Sequence, residues 1–165
     1  MPLHLSLAGV VVGILATLTM DLGALLGVRL GIPGGGPRRN GPDLIGRWIG
    51  YLARGKFKHD DILRTPPLRG ELPLGLLSHY AIGAVFSLAY FTLLGTMHIA
   101  PSFLTAIIYG LATTIFPWFL MFPSQGMGWL GASAPAPAHL TRTSLYNHAM
   151  FGLGLGLWTF VIGPS

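Results

Sequence analysis

The stretch PLGLLSHYAIGAVFSLAYFTLLGT, residues 73–96, carries no formally charged side chain. About 20 apolar helical residues cross the ~30 Å hydrocarbon core of a bilayer, so this run predicts a transmembrane span. One side chain is out of keeping with it, the imidazole of His79. Three further segments, approximately 5–28, 102–122 and 143–162, have the same length and apolar character. With 52% hydrophobic and 9% charged residues in 165, the chain is too apolar for an ordinary soluble domain. From Leu72 onward Arg142 is the only formally charged side chain, which a water-exposed surface could hardly tolerate. The expected fold is all-α and integral to the membrane: a single domain, 1–165, folded as a four-transmembrane-helix antiparallel bundle.

Nine of the ten basic residues lie between Arg29 and Arg69, in the loop of residues 29–72. That asymmetry predicts a cytoplasmic loop, with both termini and the 97–101 turn outside. A sequence pI near 10.1 would also suit nucleic acid. Because the basic residues fill one loop between apolar segments, the expected counter-charge is instead anionic lipid headgroups, with no nucleic acid. The absence of cysteine excludes disulfides, iron–sulfur clusters and thiolate metal sites. The N-terminal stretch lacks the basic n-region of a signal peptide and reads as a retained first helix.

The loop has structure of its own. In NGPDLIGRWIGYLARG, residues 40–55, Asn40 or Gly41 offers a cap, Pro42 falls in the first turn, and Gly55 stops the helix. Leu44, Ile45, Trp48, Tyr51 and Leu52 share one face, which predicts an interfacial amphipathic helix on the inner leaflet. Trp48 is expected at the membrane interface, with Arg47 and Arg54 available to headgroups. The preceding GIPGGGPRRN reads as a connector and lacks the Gly-Lys-Ser/Thr ending of a phosphate-binding loop. His59, beside Asp60 and Asp61, is expected to be solvated rather than a metal ligand.

Small residues four apart mark helix contacts: Gly9 with Gly13, Gly23 with Gly27, Ala106 with Gly110, and Gly152 with Gly156. Close approach inside a bundle is the expected use, and a homo-oligomer through an outer face is the alternative. Pro117 should kink the third helix, because it removes a backbone donor and clashes one turn back.

His79 has a counterpart. Gly75, His79 and Gly83 repeat as Ser144, His148 and Gly152, and GILATLT at 13–19 echoes GLATTIF at 110–116. The pattern suggests a duplicated hairpin, an arrangement that transporters also use. Both imidazoles should lie roughly 9 Å below the inner interface, at 1.5 Å per residue. Asp21 lies only slightly deeper, and an ionised carboxylate there costs at least about 2.5 kcal/mol, so it should face the interior and find a partner. Asp21, His79 and His148 therefore form the expected ligand-binding set. Tyr80, Asn147, Ser78 and Thr17 stand beside them, and Gln125 reaches in from the third loop, residues 121–144, folded back as a cap. Neutral imidazoles with a carboxylate suit a proton or a transition metal held by His79, His148 and Asp21, with Met20, Met121 and Met127 adding thioethers for copper(I). Two histidines at equal depth also suit bis-histidine haem b. A purely structural tie between helices is the plain alternative. At the outer face, Met1 with His4 and Met97 with His98 make a weaker grouping.

The stretches GRWIGYLARGKFKHDDI, LLSHYAIG, FPSQGMGWLGAS and HAMFGLGLGLW, in this order, resemble a bacterial inner-membrane family known as domain of unknown function 2938. The resemblance implies a small polytopic membrane protein of the bacterial inner membrane; Asp21 in helix one, His79 and Tyr80 opening helix two and His148 opening helix four match residues that members of that family show. It implies no reaction.

The expected function is that of a binding protein, holding a cation, proton or small ligand in a transport or sensing role. Alternatives are a non-catalytic accessory subunit of a larger membrane complex, and a membrane enzyme acting on a lipid-like substrate. No nucleophile motif is present, and no catalytic residue is expected.

Overall fold

The computed structural model describes residues 3–32 and 41–162, with side chains from Leu7 onward. Among these, regular structure is entirely helical: α1 Leu3–Arg29, α2 Gly41–Leu52, α3 Glu71–Met97, α4 Phe103–Ala112, α5 Phe122–Ser124 and α6 Pro137–Ile162. Four stretches are long and apolar enough to cross a membrane: Leu7–Arg29, Glu71–Met97, Phe103–Ser124 and Pro137–Ile162. The last starts earlier than the expected residue 143 because Pro137, with φ fixed and no N–H to lose, suits a first helical turn.

Phe103–Ser124 is not one regular helix. It runs as α4, breaks after Ala112, continues as a π-helical turn at Pro117–Met121 and ends in α5. Pro117 sits at the start of that turn, where its missing N–H would interrupt a regular α-helical ladder. At the other end, Ser102 and Thr105 form a reciprocal cap. The Ser102 hydroxyl accepts from the Thr105 N–H at 3.2 Å, and the Thr105 hydroxyl accepts from the Ser102 N–H at 3.0 Å.

Helix α1 packs against both α3 and α6, α4 packs against α6, and α2 packs against the start of α3. Glycines set the crossings. A methyl group added at Gly13 would collide with the Gly83 carbonyl, and one added at Gly110 would collide with the His148 carbonyl and the Gly152 backbone. The two crossings fall at corresponding positions of the hairpins that the sequence echo pairs. Around them lies the core of Val12, Ala16, Tyr90, Phe91, Leu94, Ala106, Phe151 and Leu155. The outer faces of the long helices stay apolar, with Leu22, Leu77, Leu104 and Phe160 all exposed.

Helices α3 and α4 approach differently. Side chains bridge them. Tyr109 donates to the Phe86 carbonyl at 2.8 Å, Tyr90 pairs with the Thr105 hydroxyl at 2.9 Å, and the Phe86 and Phe116 rings lie 5.0 Å apart.

Helix α2 forms from Gly41, with Pro42 in its first turn, and Gly55 follows its end with a left-handed φ of 82°. The proposed Asn40 cap lies outside the described residues. The helix is clamped to α3 rather than loosely laid beside it. A Cβ on Gly46 would strike the Glu71 carbonyl, and one on Gly75 would strike the Pro42 carbonyl. Arg47 is therefore not available to headgroups, contrary to the sequence expectation. Its guanidinium makes a bidentate pair with Glu71 at 2.7 and 2.9 Å and donates to the carbonyls of Ile62 and Thr65, each at 3.1 Å. A planar five-donor group serves this geometry, and its burial draws it away from solvent. Arg54 remains exposed, and the Trp48 indole donates to the Phe57 carbonyl at 2.9 Å.

Candidate functional site

His79 and Tyr80 are consecutive on α3, and the Asp21 carboxylate of α1 sits between them. Nε2 of His79 lies 3.0 Å from Oδ1, and the Tyr80 hydroxyl donates to Oδ2 at 2.9 Å. Both carboxylate oxygens are held, one by each residue, which fixes the plane of the group. The sequence builds this locally through small residues: Thr17, one turn before Asp21, fills the space beside Gly83, one turn beyond His79. The Thr17 hydroxyl donates back to the Gly13 carbonyl at 2.9 Å, so it adds no unpaired group to the crossing.

His148 on α6 has a different partner. Its Nδ1 lies 2.7 Å from the hydroxyl of Thr113, which in turn donates to the Gly110 carbonyl at 2.5 Å. If that hydroxyl proton is directed to the carbonyl, Nδ1 is the nitrogen that carries the proton in the neutral ring. The expected trio is thus divided. Asp21 pairs with His79, and His148 pairs with Thr113. Among the described residues no three His, Cys, Asp or Glu side chains converge to hold a metal ion. The assignment of His79, His148 and Asp21 as one metal-ligand set is corrected accordingly, since the helices rotate His148 toward α4.

All three nevertheless line one cavity of about 740 Å³. Thr17, Met20, Ser78, Met121 and Asn147 share its wall, as do Ile45 and Trp48 of α2. Tyr80 touches the site through Asp21 from outside that lining. Ser144 also lines it, and among the described residues neither its hydroxyl oxygen nor Oδ1 of Asn147, both buried, has a hydrogen-bond partner. Sequence reasoning treated Ser144 only as a small residue. Its spacing from Asn147, His148 and Phe151, at helical intervals of three, four and seven, was the available signal.

Gln125 is elsewhere. It is buried where the third loop meets the first, with its backbone carbonyl accepting from the Ile62 N–H at 3.0 Å. The Ser124 carbonyl beside it accepts from the His59 N–H at 2.8 Å. Gly126, at a left-handed φ of 82°, presses on the Asp60 carbonyl where any side chain would clash. The third loop therefore clasps the first loop instead of delivering Gln125 to the cavity. Trp129 and Leu130 at its tip are exposed. Met97 and His98 are exposed as well, while Met1 and the side chain of His4 lie outside the described residues.

The clasp also overturns the solvated reading of His59. The residue is 1% exposed, Nδ1 lies 3.1 Å from the Thr65 hydroxyl, and the Tyr51 ring meets the imidazole edge-on at 5.3 Å. Burial pushes the imidazole below its ordinary pKa, Lys56 adds to that, and Asp60 opposes it.

A family model described as "Protein of unknown function (DUF2938)" matches residues 10–162. No curated protein and no solved structure matches the chain.

Proposed function

We propose, from the premise that this chain belongs to the DUF2938 family of proteins of unknown function, that it is a membrane binding protein with an intramembrane polar site at Asp21, His79 and His148. In this reading the four long helices span the bacterial inner membrane as an antiparallel bundle. The basic first loop faces the cytoplasm, both termini lie outside, and Arg54 meets anionic headgroups. The site holds a small ligand with a cationic or hydrogen-bond-donating group, in a transport or sensing role.

The observation that carries the proposal is the Asp21 carboxylate, oriented by His79 and Tyr80 and set in the wall of a sizeable cavity. A carboxylate at membrane depth is costly and marks a functional site by default. A tie made only for helix packing would close over the pair, whereas the Asp21 side chain keeps 39% of its surface open. Once the metal trio is divided, a proton or an organic donor group suits the carboxylate better than a multiply ligated metal.

Native mass spectrometry of the protein purified from its own membrane, with an ultraviolet–visible spectrum of the same sample, tests the reading. The expected result is a small ligand retained by the native chain and lost in Asp21→Asn, with helical circular dichroism unchanged. Equal retention in Asp21→Asn overturns it. A haem Soret band, or a stoichiometric protein partner in place of a small ligand, replaces it with the haem or accessory-subunit alternative.

A further inference from the structure

The cavity is not a closed chamber between four tightly packed helices. Beyond the bridge of Phe86 and Phe116, α3 and the π-helical turn both contribute to its wall. Val85 and Ile82 on one wall and Leu120 on the other line the cavity, yet they are 61%, 39% and 46% exposed. Side chains that belong both to the lining and to the outer surface mark a lateral slot. It lies within the long apolar stretches Glu71–Met97 and Phe103–Ser124. The cavity wall also carries oxygen acceptors at Asp21, Ser144 and Asn147, and among the described residues the last two have no hydrogen-bond partner for those oxygens. An unpartnered buried acceptor in a cavity wall is open to a donor from a ligand or a water.

We infer that the ligand is a single-chain amphiphile with a donor head, an amine best matching Asp21, which enters from the bilayer through the slot between α3 and the π-helical turn. The inference rests on the membrane-binding reading above and adds the ligand class and route. In the bound state the head donates to the Asp21 carboxylate. The chain lies along Ile82, Phe86, Phe116 and Leu120. The cavity volume, about 740 Å³, falls inside the ~300–1,000 Å³ range of small-molecule sites.

The test uses the full chain in phosphatidylcholine nanodiscs with a spin-labelled stearylamine as probe, read by electron paramagnetic resonance. The expected result is an immobilised component that saturates at one probe per chain. Its affinity falls at least tenfold in Asp21→Asn and in Val85→Trp, which fills the slot from an exposed position. Leu120→Trp fills it from the other wall and guards against misfolding of the first variant. Full immobilisation in both Trp variants overturns the lateral route. Equal immobilisation of a spin-labelled phosphatidylcholine overturns the ligand class, since it reports ordinary boundary lipid. If stearylamine is not immobilised but butylammonium shifts the fluorescence of Trp48 in an Asp21-dependent way, this inference falls and the binding site stands. If neither probe binds, both fall.

Discussion

The hydroxyl of Thr17 on α1 occupies the space that a β-carbon on Gly83 of α3 would fill. The contact bears directly on the site, because Asp21 and His79 each stand one turn away from it. Gly83→Ala should therefore force the helices apart, at a cost of about 1–3 kcal/mol for overpacking, and lengthen the Asp21–His79 bond. Gly95→Ala, at an open helical position on the same helix, should cost nothing and stabilise by up to about 1 kcal/mol. Unfolding in mixed micelles compares the two. Equal stability of both variants would show that the crossing tolerates a methyl group.

Arg47 and Glu71 hold α2 against α3 through a pair whose side chains are 11% and 14% exposed. Removing one partner leaves a largely buried charge alone, so Arg47→Met should destabilise the loop by about 3 kcal/mol. Adding Glu71→Leu should recover much of that loss. Arg47→Lys should not, since an ammonium cannot reproduce the two-pronged contact. Limited proteolysis of the 41–70 segment gives the readout, and a single Arg47→Met variant as resistant as the parent would refute it.

His59 makes the loop clasp sensitive to acid. Its folded pKa is lowered by burial, so the opened loop binds the proton more readily than the closed one. Above the ordinary value near 6.5 both forms are neutral and the clasp is complete. As pH falls below 6.5, stability is lost at up to about 1.4 kcal/mol per unit until the folded pKa is passed. Hydrogen exchange at the Ile62 amide should quicken, beyond its intrinsic pH trend, between pH 7.5 and 5.5. His59→Gln should remove that dependence, and an unchanged dependence would place its origin elsewhere.

Thr113 sets the tautomer of His148. Thr113→Val keeps the shape but removes the hydroxyl, and it should cost about 0.5–1.5 kcal/mol for the lost bond. The nitrogen-15 spectrum of the ring should change from a protonated Nδ1 toward a mixture with protonated Nε2. A parent protein already protonated at Nε2 would contradict the assignment.

The four long helices, the short α2 and the break at Pro117 are legible in the sequence because each depends on local signals: apolar length, a Pro or Gly at a boundary, and periodicity. The pairing of Asp21 with His79 is legible for an energetic reason, since a lone carboxylate in an apolar run must find a donor at its own depth. His148 is harder, because its partner depends on how far α6 rotates against α4, which the close Gly110–Gly152 approach decides. Arg47, His59 and Gln125 were misplaced for a shared reason. Polarity alone assigns them to solvent, headgroups or the site, and only contacts between distant segments reveal that each is buried.

The clasp between the loops also bears on the timing of synthesis. The N–H groups of His59 and Ile62 bond to the carbonyls of Ser124 and Gln125, more than sixty residues later in the chain. At about 5–20 residues per second, a ribosome takes roughly 3–13 s to supply those acceptors. Through that interval the first loop has no lid for His59, so nascent chains should be open to cleavage there until the second half has emerged.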